Sequence, residues 1–310
     1  MKAQSKLKGG AILLVGALLV VAVVAVFSGC TTTSSDVTTT VFDPGSQYNY
    51  YALFIGINEY SESVGPLNYC VSDATKLRNS VVNSTYWGPA AATVLMTDSE
   101  ATKANIIKFI QLYKEKGDAQ TSLVFFFSGH GTNDNGSAAL VTYDEESYEL
   151  LTDRELTSVL TGNPCSAIFY IDACYSGGLI DKSNGRKAKV FTGHEGYDPE
   201  FAKGWAFDTE DDRGINEVDR LVAVTASAGD EVSWEDPAVG GGVFTSFLVQ
   251  GLGADSEVIG PADTSGDGTI SVEESYNYLR PLVIDYSTQK LSSVQTPQFV
   301  NNNAGTLVIK

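Results

Sequence analysis

The chain has 310 residues, and its 38 Asp and Glu outnumber its 20 Lys and Arg, which gives a formal net charge of −18 at pH 7. Such acidity argues against nucleic acid and anionic membrane surfaces as partners, and it favours basic substrates or calcium ions. The length suffices for one large domain, and we expect no organic cofactor.

The N-terminus has the pattern of an export signal. Lys2, Lys6 and Lys8 precede an uncharged apolar stretch over residues 11–27, which ends in the tetrapeptide FSGC. This order is typical of a secretory signal, and FSGC resembles a bacterial lipobox, in which Cys30 would be lipidated. An uncleaved membrane anchor is the alternative. Both interpretations assign residues 1–29 to targeting and predict that the protein is exported and attached to the cell membrane or envelope.

The remaining chain divides into a tether and one domain. Residues 30–46 are rich in Thr and Ser and are predicted to form a flexible tether. Residues 47–310 alternate apolar strand-like runs with helical patterns, which predicts a mostly parallel six-stranded sheet with helices on both faces, a three-layer αβα sandwich. The predicted strands lie at 51–57, 93–96, 123–128, 167–172, 221–226 and 306–309.

Two of these apolar runs end in glycine-rich turns that carry reactive side chains. Residues 123–131 read LVFFFSGHG and contain His130, and residues 167–178 read AIFYIDACYSGG and contain Cys174. Because ligands bind at the carboxyl ends of parallel strands, we expect both side chains at one edge of the sheet. A thiol beside an imidazole is a nucleophile beside its general base, which predicts a cysteine peptidase.

Four segments resemble the metacaspase branch of the caspase-like peptidases. They are YALFIGIN at 51–58, LNYCVSDA at 67–74, SGHG at 128–131 and DACYSGG at 172–178, with further matches at 242–245 and 295–297. The resemblance implies a caspase-like fold and an endopeptidase that uses a His130/Cys174 dyad. Main-chain amides of Gly129, His130 and Cys174 are the expected oxyanion donors.

The resemblance also implies a specificity pocket. Four positions match the residues that line this pocket in metacaspases: Cys70, Asp73, Ser128 and Asp172. Two carboxylates in a semi-buried pocket favour a cation, so we expect cleavage of peptide or protein substrates after Arg or Lys. The alternative is that Asp73 caps its helix and Asp172 merely ends its strand.

A twelve-residue segment over 263–274 fits the loop of an EF-hand. Its expected calcium ligands are Asp263, Ser265, Asp267, the Thr269 carbonyl, Ser271 through water and Glu274, with Gly268 making the turn. No clear helix precedes this loop, so we expect a structural calcium clip. Ser271 and Glu274 also form a capping box for a helix that continues to about Tyr286.

Family resemblance implies a second calcium position near the nucleophile. Asp181 falls where one carboxylate ligand is expected, and Asp153 is a second candidate. Asp181 also begins a long polar insertion, residues 181–214, where caspase-like proteins carry the linker between subunits. The insertion includes Arg186, Lys187 and Lys189, which we predict to be sites of self-cleavage.

Two other functions remain open at this point. One is a non-catalytic lipoprotein of caspase-like fold that acts as a binding module, and the other is an Asp-directed caspase-type peptidase. A disulfide between Cys70 and Cys165 also remains open, because sequence alone does not give the distance between them.

Overall fold

The structure, a computed structural model, describes residues 49–84, 86–87, 91–134, 137–174, 187–188, 218–228, 231–254 and 258–310. All of them belong to the unit Val37–Lys310. The strands are β1 Tyr50–Gly56, β2 Ala91–Thr97, β3 Ser122–Ser128, β4 Gly131–Asp134, β5 Ser137–Thr142, β6 Glu149–Thr152, β7 Ser166–Asp172, β8 Lys187–Ala188, β9 Leu221–Thr225, β10 Trp234–Asp236, β11 Gly241–Gly242 and β12 Gln298–Asn301. The helices are α1 Cys70–Val82, α2 Lys103–Lys116, α3 Asp153–Leu160, α4 Val243–Gly251 and α5 Val272–Tyr286.

A six-stranded sheet in the order β12-β9-β7-β3-β1-β2 forms the centre of the fold. Its strands are parallel except β12, which runs antiparallel to β9. The first strand of the chain therefore lies inside the sheet, and later strands add on both sides of it. The prediction of a mostly parallel sheet of six strands is confirmed.

Alternate residues of each strand face two separate apolar layers. Leu123, Phe125 and Phe127 of β3 pack with α2 and α3, whereas Val124 and Phe126 pack with α1, α4 and α5. Both faces of the sheet are covered, which explains why its strands are almost continuously apolar. The predicted three-layer αβα arrangement is thus the observed one.

Polar side chains cap the N-termini of three helices. Thr152 and Glu155 form a capping box before α3, and Ser271 and Glu274 form another before α5. Thr102 caps α2 by accepting the amide of Asn105. These contacts satisfy amides that have no partner within the helix.

The sixth strand differs from its predicted position. The sequence predicts a strand at 306–309, whereas the sheet is completed by β12 at Gln298–Asn301. In place of a strand, residues 306–309 make one isolated bridge between Val308 and Ser271. Ile309 is buried, and its carbonyl accepts the indole N–H of Trp87. The apolar run therefore fills a core next to α1 and α5 and does not extend the sheet.

Two short antiparallel sheets accompany the main one. The sheet β4-β5-β6 follows His130 directly, and the sheet β11-β10-β8 connects three distant parts of the chain. In the second sheet, β10 pairs with Lys187–Ala188 on one side and with Gly241–Gly242 on the other. Within the described residues, no helix is both long enough and apolar enough to span a bilayer.

Candidate active site

His130 and Cys174 follow neighbouring strand ends because β3 pairs with β7. Ser128 at the end of β3 is opposite Asp172 at the end of β7, so His130 and Cys174 each follow that pair by two residues. Gly131 is in van der Waals contact with the main chain of Cys174, and a Cβ at this position would clash with the Cys174 carbonyl oxygen. The two predicted catalytic residues therefore meet at the carboxyl edge of the sheet.

His130 is buried, and its ring is held on two sides. Its Nε2 lies 2.9 Å from the carbonyl oxygen of Gly65, and its ring centroid lies 4.8 Å from that of Tyr60. A carbonyl oxygen can only accept, so Nε2 carries the hydrogen of the neutral imidazole. Nδ1 is then the nitrogen that can accept a proton from a thiol.

Tyr60 is a site residue that sequence reasoning missed. Its hydroxyl accepts the main-chain N–H of His130 at 2.9 Å and donates to the carbonyl oxygen of Val141 at 3.1 Å. Burial raises the pKa of Tyr60 well above its usual value, so the hydroxyl remains neutral. No pattern in the neighbouring sequence marks this tyrosine, because its contact with His130 spans 70 residues.

These contacts correct the expectation for the oxyanion donors. The amide of His130 donates to Tyr60, and the amide of Gly129 donates to the carbonyl oxygen of Asp172 at 3.3 Å. Both amides therefore serve to hold the turn in this conformation. The predicted oxyanion role of Gly129 and His130 is not supported by the arrangement of their hydrogen bonds.

Cys174 is fully buried against the segment Val232–Trp234, which leads into β10. The main-chain N–H of Ser233 donates to its Sγ, and the carbonyl oxygen of Ser233 lies 2.9 Å from the same atom. The main chain of Ser233 therefore covers this side of the Cys174 thiol. Cys70, Cys165 and Cys174 all carry thiols, so the disulfide left open for Cys70 and Cys165 is absent between these described residues.

The two predicted pocket carboxylates are buried at the same edge. Asp73 accepts the amide of Gly242 at 3.0 Å and the hydroxyl of Ser128 at 3.1 Å. Asp172 accepts the hydroxyls of Ser233 at 2.7 Å and Thr245 at 2.6 Å. Asp73 is 1% exposed and Asp172 is 0% exposed. Ser128, which donates to Asp73, pairs with Asp172 of the neighbouring strand, so the two carboxylates lie at the same edge of the sheet.

The arrangement of helices explains how these charges are accommodated. Gly242 caps the N-terminus of α4 and Thr245 lies in its first turn, so the positive end of this helix faces both carboxylates. Asp73 lies inside α1, whose N-cap is Tyr69 without a side-chain cap. The alternative that Asp73 caps its own helix is therefore wrong. Cys70 is buried one helical turn before Asp73.

Two further buried polar side chains hold the site and were also missed. Glu235 of β10 accepts the amides of Asn68 and Tyr69, which tie β10 to the start of α1. Gln295 bonds Ser233 and the amide of Trp234. The second lies in the QTP segment at 295–297, which the sequence marks only as a resemblance to a family motif.

The loop over 263–274 is compact and folds around Asp263. The Asp263 carboxylate accepts the amides of Gly266, Asp267 and Gly268 at 2.7, 3.2 and 3.0 Å. Gly268 has φ +84°, as the predicted turn requires. Glu274 accepts the amide of Ser265 at 3.0 Å. Desolvation acts to raise the pKa of Glu274, but hydrogen bonds from Ser271 and Ser265 outweigh it and lower the pKa to about 2.

This loop fits calcium in the chemistry of its donors and in its turn. Three carboxyl groups, two hydroxyls and one carbonyl are oxygen donors of the kind that a hard cation prefers. Within the described ranges, however, no group of three or more His, Cys, Asp and Glu is arranged to hold a metal ion. The Asp263 and Glu274 oxygens accept amides of the loop itself, so a bound cation would have to share them.

The remaining predicted positions are only partly covered by the structure. Asp153 is the first residue of α3, where its carboxylate accepts the amide of Arg154 at 2.7 Å. Lys187 lies in β8, whose main chain pairs with Glu235 of β10. The other positions lie outside the described residues: Cys30, Asp181, Arg186 and Lys189.

His130 and Cys174 thus follow adjacent parallel strands in the sheet of a three-layer αβα fold. The family profile of the caspase domain matches residues 49–306. The chain belongs to the caspase family, and its relatives identify it as a metacaspase-like member.

Those relatives are metacaspases of plants and fungi. Metacaspase-3 of Arabidopsis thaliana is 32% identical over 150 residues, which are 42% of this chain and 40% of that protein. Metacaspase-1A of Aspergillus terreus is 30% identical over 150 residues, or 42% and 36% of the two chains. The chain thus spans well under half the length of the curated relatives that it matches.

A solved structure shares the fold at lower identity. It is the crystal structure of a protein from Geobacter sulfurreducens, with a TM-score of 0.54 and 19% sequence identity. The superposition covers 83% of this chain and 94% of that chain. This similarity concerns the fold alone.

Proposed function

We propose that the protein is a cysteine endopeptidase that cleaves peptides after Arg or Lys. The observation that carries this proposal is the pair of buried carboxylates, Asp73 and Asp172, beside the thiol of Cys174. A buried carboxylate is stabilised most by a cation that also donates hydrogen bonds, and the side chains of Arg and Lys do both. A pocket for Asp would need the opposite charge.

The chemistry follows from the tautomer of His130. Its Nδ1 accepts the proton of the Cys174 thiol, and the resulting thiolate attacks the peptide carbonyl carbon. The imidazolium then donates that proton to the leaving amine as the peptide C–N bond breaks. Water attacks the thioester, His130 accepts its proton, and the new carboxyl terminus is released as the thiol reforms.

Hydrolysis of reporter peptides tests the specificity. The reporter peptides differ only in the residue before the cleaved bond, which is Arg, Lys, Ala or Asp. Those with Arg or Lys should be cleaved fastest, the one with Ala more slowly and the one with Asp slowest. Asp172→Asn or Asp73→Asn leaves the buried guanidinium of a bound Arg without one of its partners. The expected loss of binding free energy is on the order of 3–5 kcal/mol. We therefore expect a large drop in kcat/KM for Arg and little change for Ala.

Asp118→Asn is the matched control for these two variants. Asp118 also accepts hydrogen bonds, from Gln120 and Thr121, but it lies before β3, at the amino ends of the strands. Its substitution should leave the Arg reporter unaffected. A wild-type preference for Asp, or Arg cleavage that is indifferent to both pocket variants, overturns the proposal. A wild type that cleaves nothing and whose thiol is inert indicates a binding module instead.

Calcium is the proposed cofactor. The loop over 263–274 would hold it through Asp263, Asp267, Glu274, Ser265 and the Thr269 carbonyl, and α5 begins within this loop. Bound calcium would supply positive charge between carboxylates that otherwise repel each other. Its role here is to stabilise the start of α5. Asp153 and Asp181 remain candidates for a second site.

Self-processing in the 181–214 insertion is the second part of the proposal. Lys187–Ala188 pairs antiparallel with Trp234–Glu235 of β10, and Ser233, next to that pair, contacts the nucleophile. The pairing of the Lys187 main chain with the strand that follows Ser233 supports cleavage within this insertion. A pocket that selects Arg or Lys would meet Arg186, Lys187 or Lys189 at high effective concentration.

We also propose that the protein is exported and attached to the membrane or cell envelope through its N-terminus. The support is the order of segments over residues 1–30, in which three lysines precede an apolar stretch that ends in FSGC. Cys30→Ser should release the protein from the membrane fraction if Cys30 carries a lipid. Retention of that variant indicates that residues 11–27 remain as an anchor.

A further inference from the structure

Ser233 contacts both functional parts of the site. Its hydroxyl lies 2.7 Å from Oδ1 of the pocket carboxylate Asp172. Its main-chain N–H and C=O both lie against Sγ of Cys174. Ser233 itself is fully buried. The side chain therefore serves the pocket, whereas the contact with the nucleophile depends only on the main chain.

Gln295 determines the direction of the Ser233 hydrogen bond. This glutamine is fully buried. Its Oε1 accepts the amide of Trp234 at 3.2 Å, and its Nε2 lies 3.1 Å from the Ala226 carbonyl oxygen and 3.3 Å from Ser233 Oγ. Because an amide NH₂ can only donate, Ser233 Oγ accepts there, and its single hydrogen is directed to Asp172.

Thr245 holds the other oxygen of the same carboxylate. Its hydroxyl donates to Oδ2 of Asp172 at 2.6 Å, and its amide donates to the same oxygen at 3.3 Å. The terminal torsion of an aspartate is soft when nothing restrains it. Donors on both oxygens, from Ser233 in the segment before β10 and from Thr245 in α4, therefore fix the plane of this carboxylate.

The orientation of the carboxylate plane affects the binding of Arg more than the binding of Lys. A planar guanidinium forms two parallel hydrogen bonds only when its plane matches that of the carboxylate, whereas the ammonium group of Lys acts as a point charge with rotatable donors. A carboxylate of fixed orientation therefore favours Arg. One that turns freely retains its charge and still attracts Lys.

We propose that Gln295 and Ser233 are specificity-positioning residues, which orient Asp172 so that the pocket prefers Arg over Lys. This inference rests on the proposed cleavage after basic residues. It adds that a chain of hydrogen bonds from Gln295 through Ser233 to Asp172 sets the preference between Arg and Lys. Gln295 itself does not contact the substrate.

Steady-state kinetics of Ser233→Ala and Gln295→Leu with matched Arg and Lys reporters test the inference. We expect KM for the Arg reporter to rise about tenfold, the factor that about 1.4 kcal/mol represents, and KM for the Lys reporter to change much less. The kcat values should be largely retained in Ser233→Ala, because the main-chain contacts with Cys174 do not need the hydroxyl. Ser233→Thr, which keeps a hydroxyl, should restore the Arg preference.

Two variants control for loss of a side-chain hydrogen bond in general. Ser275→Ala removes a buried hydroxyl that lies 2.8 Å from Tyr170 Oη, on the same strand as Asp172. Gln298→Leu removes an amide that donates to the carbonyl oxygen of Thr296. Both should leave the ratio of Arg to Lys cleavage unchanged. Melting temperatures confirm that each variant is folded, and Gln295→Leu provides the test if Ser233→Ala does not fold.

The outcomes separate this inference from the proposed function. If the wild type cleaves neither Arg nor Lys reporters, both are wrong. If it cleaves them and Ser233→Ala and Gln295→Leu lose the two activities in parallel, or lose neither, the positioning role alone is wrong. A similar change of the Arg-to-Lys ratio in Ser275→Ala also contradicts it.

Discussion

The environments of the thiols differ enough to predict which of them reacts. Burial raises the pKa of the Cys165 thiol from 9.0 to about 11, so little thiolate forms there at neutral pH. Cys174 is also buried, but it follows the carboxyl end of β7, next to the strand that precedes His130, and its Sγ contacts the main chain of Ser233. Cys165 instead lies in the apolar core.

Tyr60 provides a prediction at the residue scale. Tyr60→Phe keeps the ring against the imidazole but removes the hydroxyl that bonds the His130 amide and the Val141 carbonyl. The loss of hydrogen bonds to buried groups costs about 1–3 kcal/mol of stability. Because the turn that carries His130 is then less restrained, we expect kcat to fall while KM changes little.

Tyr113→Phe is the control for that variant. Its hydroxyl also donates to a main-chain carbonyl, that of Ala52 in the first half of β1, which is away from the strand end that carries His130. The measurement is kcat and KM together with the melting temperature of both variants. Equal kcat in Tyr60→Phe and wild type, with both folded, would show that Tyr60 does not position the histidine.

The residues that were predicted and those that were missed differ in a physical way. His130 and Cys174 could be predicted because parallel pairing brings consecutive strand ends together, and each residue follows its own apolar run. Ser233 and Gln295 lie in segments without periodicity, and their contact spans 62 residues. No local pattern of sequence carries such a contact, so only the folded chain reveals it.

At the scale of elements, backbone pairing and burial gave conflicting signals for the last strand. Leu307-Val308-Ile309 is the more apolar run, yet β12 with the sequence QFVN completes the sheet. An edge strand needs backbone partners on one side only, so it can be partly polar. Residues of 306–309 contribute instead to the core between the sheet and its helices.

Helix α5 connects the acidic loop with the rest of the site. Ser275 in its first turn bonds Tyr170 of β7, two residues before Asp172, and Tyr286 at its end bonds Asp236 of β10. These contacts hold α5 against β7 and β10. Calcium at the loop would stabilise the start of this helix.

Thermal melting with and without calcium tests the loop. With three carboxylates and a serine at the third position, we expect weak binding, about 10⁻⁴–10⁻³ M. At about 100 times Kd, binding to the folded state alone adds roughly 2.7 kcal/mol of stability. Asp267→Ala combined with Glu274→Gln should abolish this increment, and Gln at 274 still allows the capping box.

The control for this prediction is Glu273→Gln, which makes the same substitution as Glu274→Gln at the exposed neighbouring position of α5. That variant should keep the response to calcium. A wild type whose melting does not respond to millimolar calcium would show that the loop is only an acidic turn.

At the scale of the whole molecule, the acidic net charge and the basic cluster at residues 186–189 of the insertion complement each other. The net charge of −18 attracts basic segments, and the insertion offers Arg186, Lys187 and Lys189 within the chain. We expect purified protein to convert in calcium to fragments that are cut after one of these residues. The small residues Gly185 and Ala188 beside them suit an extended segment in a protease site.

Mass spectrometry of the fragment termini checks this prediction. Cys174→Ala protein should remain a single chain under the same conditions, because the insertion is unchanged and only the nucleophile is absent. Cuts at other positions, or equal nicking of the Cys174→Ala protein, would show that processing is absent or due to a contaminating protease.

The central claim is that Cys174 is a nucleophile served by His130 and by a pocket for a basic side chain. Intact-mass analysis after treatment with a peptide electrophile that ends in Arg tests all of it in one measurement. We predict one adduct per chain, located at Cys174, slowed strongly by His130→Ala or Asp172→Asn and absent in Cys174→Ala. Faster labelling by the matched electrophile that ends in Asp, or an adduct at Cys70 or Cys165 instead, would contradict the account.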